Sequence, residues 1–203
     1  RQLIEGLAGA SVIGDASVEV RAVHDDSRKI GAGDVFVAVK GLHSDGHDFV
    51  ARAIEQGAAA VVVERAPDAT IAGKVPVVVV PSTAKALGAL VRRSLGDPAA
   101  AMVLIGGTGT NGKTTTTYLV ESILAAAGHK PGVIGTVELR WAGTSTPASY
   151  TTPTPQQLHE TLAAMREAGC THVVMEVTSI AILQERVSGM RFQVAGFSNL
   201  TQD

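Results

Sequence analysis

The sequence predicts an α/β fold in two parts, a small α/β domain over residues 1–98 and the first part of a doubly wound sheet domain over 99–203. Three observations carry this expectation. Short β-branched runs recur along the chain, helical stretches closed by glycine lie between several of them, and one glycine-rich loop joins a strand to a helix.

The strand candidates are 18–23, 35–39, 59–63, 77–80, 103–105, 133–137 and 173–177. They are nearly unbroken in apolar residues, as in strands buried on both faces. Helices fit 49–56, 82–95, 115–127 and 154–168, and Gly57, Gly96, Gly128 and Gly169 follow them directly. Glycine just past a helix is the usual left-handed cap. Thr154, Pro155 and Gln157 make a good helix start: a hydroxyl cap, proline in the first turn and an amide three residues on. Gly96-Asp97-Pro98 is the best boundary, because a long helix stops there and a new strand–loop–helix unit begins. The chain starts at Arg1 and stops after Thr201-Gln202-Asp203, so it is expected to be a piece of a longer one.

Composition narrows the partners. With 45% hydrophobic and 18% charged residues the chain reads as an ordinary soluble domain pair. A net charge of −2 with no basic run argues against nucleic acid, and no apolar stretch is long enough to insert in a membrane. Cys170 is the single cysteine, which rules out a disulfide framework and fits a reducing cytoplasm. It reads as an inert buried thiol, and His47 and His129 as loop or cap residues.

The strongest motif is Gly107-Thr-Gly-Thr-Asn-Gly-Lys113-Thr114, a G-x-x-x-x-G-K-[ST] loop between the run 101–105 and the helix 115–127. Such a P-loop lets backbone amides surround phosphate oxygens, helped by the positive end of the helix. The expected ATP contacts are Gly109, Thr110, Asn111, Gly112, Lys113, Thr114 and Thr115. Lys113 would reach the β/γ-phosphates and the Thr114 hydroxyl would ligate Mg²⁺. Glu176 ends an apolar strand, where a carboxylate can hold the same ion.

Thr108–Thr117 resembles the loop of the Mur ligase family, and the front segments resemble that family's UDP-binding domain. These segments are Asp26-Ser27-Arg28, Gly33–Ala38, Lys40-Gly41, Asp45–Phe49 and Gly57-Ala58. Gly132–Thr136, Thr151-Thr-Pro153, Met175–Ser179 and Gln184–Val187 are similar to the branch that adds a third amino acid to a UDP-linked muramoyl dipeptide. The resemblance implies a P-loop doubly wound ATPase domain and ATP-dependent amide-bond formation with diaminopimelate or lysine. It implies Lys113 and Glu176 as catalytic residues and Thr114 and Glu176 as the Mg²⁺ ligands. Asp25, Ser27, Leu42, His43 and Ser44 would bind the uridine end of the substrate. Thr151, Thr152, Thr178, Gln184 and Arg186 would bind the muramoyl-dipeptide end. The partners implied are small molecules, with the protein a monomer and this stretch alone inactive.

Two departures from the family pattern stand out. Ile180 occupies a place usually held by histidine, and Tyr150 stands where asparagine often precedes the two threonines. Two rivals stay in view, a ligase adding D-Ala-D-Ala and a non-catalytic nucleotide-binding relative in which Ile180 marks decay.

Overall fold

The structure is a computed structural model that describes all residues except 1, 42, 43, 69, 70, 72, 202 and 203. The chain divides into two compact units, Arg1–Ser94 and Leu95–Asp203. Among the described residues no helix is long and apolar enough to cross a membrane.

The first unit is built on a five-stranded sheet among the described residues, with strands β1 (Ser11–Ile13), β2 (Val23–His24), β3 (Val35–Val37), β4 (Ala60–Val63) and β5 (Val77–Val79). Their order is β1-β5-β4-β3-β2, parallel except for β1 against β5. β3 and β4 are buried along their whole length, as their unbroken valines predict. Phe36, Val61, Val63 and Val77 pack there against Val50 and Ala53 of helix α1 (Val50–Glu55). The second helix, α2 (Thr83–Ser94), buries Ala86, Leu87, Leu90 and Val91, an i, i+1, i+4, i+5 stripe.

The second unit carries a six-stranded sheet among its described residues. Its strands are β6 (Val103–Thr108), β7 (Pro131–Ile134), β8 (Glu138–Trp141), β9 (Thr144–Pro147), β10 (His172–Glu176) and β11 (Val194–Phe197). The order is β11-β6-β10-β7-β8-β9; the first four run parallel, and β8 and β9 return antiparallel. Helices α3 (Lys113–Ala126), α4 (Pro155–Glu167) and α5 (Ser179–Leu183) join them. On α4, Leu158, Leu162 and Met165 enter a core with Leu104, Ile134, Val173 and Met175.

The four glycines expected to close helices all have positive φ, from 68° at Gly96 to 100° at Gly57. The Thr154 hydroxyl accepts from the Gln157 amide, with Pro155 in the first turn. Two expectations need correction. Of the run 18–23 only Val23 is in a strand; Arg21 and Ala22 bond to Gly33 and Val35 just ahead of it, so only the end of the run reaches β3. In the second unit the apolar runs point to three strands, whereas the sheet has six among the described residues. β8 buries Leu139 alone and β9 is exposed throughout, so neither carries an apolar run. Ala142 and Gly143, with φ of 45° and 82°, form the tight hairpin turn between them.

Candidate active site

The site lies at the carboxyl ends of the parallel strands, where doubly wound sheets bind ligands. Register sets it up. Glu176 pairs with Gly107, and Met175 with Ile134, so β6, β10 and β7 end side by side. The loop after β6, the carboxylate ending β10 and the Gly135-Thr136 turn after β7 therefore meet.

In the loop, Gly109 and Gly112 have φ of 128° and 83°. A side chain at Gly109 would also collide with Ser198 and Asn199, its Cβ falling 2.2 Å from Ser198 Oγ. α3 begins at Lys113 with no side-chain cap, leaving its first amides turned toward the loop's hollow. Lys113 Nζ donates to the carbonyls of Gly109 (2.6 Å) and Thr110 (3.0 Å), which holds the ammonium over the same hollow. A cavity of about 200 Å³ opens alongside, lined by Lys113, Thr116, Val120, Val194 and Phe197.

Glu176 is 1% exposed and surrounded by donors. Thr114 Oγ1 lies 3.0 and 3.1 Å from its two oxygens. The Thr136 amide donates to Oε1 at 2.9 Å, and the Thr136 hydroxyl to Oε2 at 3.0 Å. The carboxylate and the Thr114 and Thr136 hydroxyls form a set of hard oxygen donors. That chemistry fits Mg²⁺, an ion that takes one or two protein ligands and shares the rest with phosphate and water. Thr114 donates its proton to Glu176, which leaves its lone pairs for a cation.

Thr136 Oγ1 also lies 3.1 Å from Thr151 Oγ1, the start of a second cluster. Thr152 is 1% exposed, and its hydroxyl donates to the Glu176 carbonyl and accepts the Thr178 amide. The Thr178 hydroxyl caps α5 by accepting from Ala181 N–H at 3.2 Å. Gln184 Oε1 accepts two N–H groups of Arg186, and a third goes to the Thr152 carbonyl at 2.6 Å. The guanidinium sits 4.9 Å from the centre of the Tyr150 ring, so the residue that departs from the family pattern stacks on this arginine. Ile180, the other departure, is half exposed on α5.

The sequence reading missed two features here. One is Thr136, which was noted only within a motif. The other is the segment after β11. Asn199 accepts the amides of Thr110 through its carbonyl (2.9 Å) and of Asn111 through Oδ1 (3.0 Å), while Ser198 Oγ donates to the Asn111 carbonyl at 2.7 Å.

In the first unit, Ser27 opens a short 3-10 turn capped by the Asp26 carboxylate and is nearly buried. The neighbouring Asp25 carboxyl is pushed above its ordinary pKa, chiefly by desolvation. Ser44 is exposed next to Asp45, whereas Leu42 and His43 lie outside the described residues. His47 Nε2 accepts the Glu64 amide at 2.9 Å, so its proton sits on Nδ1 and faces Asp45 at 2.6 Å. The amide and ring N–H of His47 hold the Asp45 carboxyl below its ordinary value. The histidine thus pins the loop 44–49, and Cys170 is buried and free, with its thiol pushed up by desolvation.

Known proteins resemble this chain along its whole length. Residues 19–95 match the model described as Mur ligase family, catalytic domain, and residues 108–203 match the Mur ligase middle domain. The chain is 42% identical over 203 residues to the UDP-N-acetylmuramoyl-L-alanyl-D-glutamate–2,6-diaminopimelate ligase of Parabacteroides distasonis, covering 100% of this chain and 42% of that protein. It spans less than half the length of the curated relatives it matches. A solved structure of a ligase with the same name superposes with a TM-score of 0.78 at 27% identity, over 91% of this chain and 37% of that one. The MurF ligase of Thermotoga maritima, solved in complex with ADP, gives a TM-score of 0.52 at 27% identity, over 81% and 34%. With both domain models matched in order and the loop, carboxylate and sheet in register, the chain belongs to the Mur ligase family.

Proposed function

We propose that the protein is an ATP-dependent ligase that joins 2,6-diaminopimelate to UDP-N-acetylmuramoyl-L-alanyl-D-glutamate through an acyl phosphate. One observation carries the reading: an unbroken line of oxygen groups, Thr114, Glu176, Thr136 and Thr151, runs from the phosphate loop to the Arg186 patch. A reaction that moves a phosphoryl group onto a peptide carboxylate needs its two binding regions joined in this way. The printed names of the relatives supply the substrate, and their diaminopimelate favours that acceptor over lysine.

Each residue then has a task. The amides of Gly112, Lys113, Thr114 and Thr115 frame the phosphates, Gly109, Thr110 and Asn111 shape the loop around them, and Lys113 exchanges its loop carbonyls for β/γ-phosphate oxygens. Thr114 and Glu176 hold Mg²⁺, which when bound neutralises phosphate charge. Arg186 keeps two N–H groups beyond those given to Gln184 and Thr152, a pair suited to a carboxylate. Thr151 and Thr178 face the peptide, while the buried Thr152 hydroxyl supports the strand end behind them. Asp25, Ser27 and Ser44, with Leu42 and His43, take the uridine end. The D-glutamyl carboxylate attacks the γ-phosphorus and ADP leaves. The amine of diaminopimelate then attacks the acyl carbon and expels phosphate. We assign the reaction to the cytoplasm, which suits a lone reduced thiol.

The test is to incubate the whole protein with ATP, Mg²⁺ and the UDP-muramoyl dipeptide, offering diaminopimelate, lysine or D-Ala-D-Ala. Mass spectrometry should find the diaminopimelate tripeptide with ADP released in equal amount. ADP without a new peptide bond, or transfer to D-Ala-D-Ala instead, overturns the reading.

A further inference from the structure

We infer that Tyr150 is a positioning residue: its ring covers one face of the Arg186 guanidinium and leaves that group to meet a carboxylate of the peptide substrate along its edge. The inference rests on the function proposed above and deepens it.

A guanidinium carries five N–H groups in one plane. Nε and Nη2 of Arg186 each give one to Gln184 Oε1, at 2.9 and 2.7 Å, and Nη1 gives one to the Thr152 carbonyl at 2.6 Å. One N–H therefore stays on each terminal nitrogen. Hydrogen bonds tolerate some misalignment, so these contacts locate the group while leaving it room to tilt. The Tyr150 ring, its centre 4.9 Å from Arg186 Cζ, closes off that tilt on one side.

The ring also decides how an anion arrives. Its π-face carries partial negative charge and turns a carboxylate away from the covered side. The edge, with one N–H on each terminal nitrogen, is where a carboxylate can accept two parallel bonds. Both contacts come from one short segment. The Thr152 hydroxyl donates to the Glu176 carbonyl and accepts the Thr178 amide, which anchors the segment to the end of β10. Tyr150, two residues earlier, brings the ring. It is 51% exposed and belongs to neither of the two buried cores, so the fold does not depend on it for packing. The asparagine that often stands here in the family has no ring to lay on the arginine.

Calorimetry of the whole protein with the UDP-muramoyl dipeptide, in the absence of ATP and Mg²⁺, reads the effect. Tyr150→Leu should weaken binding by about two- to fivefold, and Tyr150→Phe, which keeps the ring, should stay near wild type. In the ligation assay the leucine variant should raise KM for the dipeptide nucleotide and leave KM for ATP unmoved. UDP alone, which lacks the peptide, should bind both variants as it binds wild type. In an Arg186→Gln background, Tyr150→Leu should cost nothing further, because the ring acts only through the arginine. A loss that extends to UDP would mark a folding defect and overturn the inference. Wild-type affinity for Tyr150→Leu, a phenylalanine variant as weak as the leucine one, or additive losses with Arg186→Gln would also overturn it and leave the ligase reading standing. A wild-type protein that fails to bind the dipeptide nucleotide would overturn both.

Discussion

At Asp26 one carboxylate does two jobs. Oδ1 accepts the Arg28 amide at 3.0 Å, capping the turn that carries Ser27, and the two oxygens meet the Arg28 guanidinium at 2.9 Å each. The Arg28 side chain, seconded by its amide, lowers the Asp26 pKa to about 2. A carboxyl held below its unfolded value stabilises the fold above the unfolded pKa, near 4, and that contribution disappears as the pH falls through about 2. Arg28→Ala should move the Asp26 midpoint back toward the ordinary range, as a carboxyl titration by NMR would record. The stability lost at neutral pH should be under about 1 kcal/mol, because the Arg28 side chain is 76% exposed and water screens the pair. A midpoint that stays near 2 would give the whole shift to the backbone amide. At the buried Glu176 the contacts are of another kind: the Thr114 and Thr136 hydroxyls and the Thr136 amide meet its two oxygens.

Between elements, the phosphate loop is held from outside as well as by its own glycines. The segment after β11 stitches residues 198–201 to 108–111 with Asn199 at the centre, its carbonyl and Oδ1 taking two loop amides and its Nδ2 donating to Asn111. With those two amides bonded to Asn199, the proposed phosphate contacts fall to the later amides of the loop and the first turn of α3. Asn199→Ala should loosen the loop and weaken ADP binding by roughly three- to tenfold, about 1 kcal/mol for exposed neutral hydrogen bonds. Calorimetry would measure it, and unchanged affinity would mean that the backbone contacts suffice. The contrast shows what sequence can reveal. Helix ends and the P-loop are local signals, a glycine or a threonine acting within four residues, and they are readable in order. The pairing of Asn199 with Asn111 spans 88 residues, and the β8–β9 hairpin is too exposed to leave an apolar pattern. Thr136 escaped notice for a related reason, since a threonine after a glycine has no signature until register brings it beside Glu176.

At the scale of the whole chain, the proposed function assigns a nucleotide-linked substrate to one unit and a nucleotide co-substrate to the other. Each unit has its own sheet and its own buried core, so each can recognise its ligand with local contacts. In the first unit, the 3-10 turn at Ser27 and the loop pinned by His47 present small polar groups near Asp25 and Ser44, a surface suited to a uridine nucleotide. In the second, the amides at the start of α3 and the Lys113 ammonium form a positive end suited to phosphate, beside which Glu176 is the proposed cation ligand. Two ligands that both carry a diphosphate should therefore be told apart by unit. Chemical-shift mapping by NMR with UDP, without ATP or Mg²⁺, is expected to perturb amides within 24–28 and 44–47 and to leave 107–115 unmoved. Adding Mg²⁺-ADP should then perturb 107–115 together with 198–201, because the tail is bonded to the loop, and leave the first set where UDP had put it. If UDP shifts the P-loop amides and spares the first unit, the front residues are not the uridine site, and the assignment of Asp25, Ser27 and Ser44 fails. If Mg²⁺-ADP moves 107–115 without 198–201, the tail is not part of the nucleotide site, whatever its hydrogen bonds in the free protein.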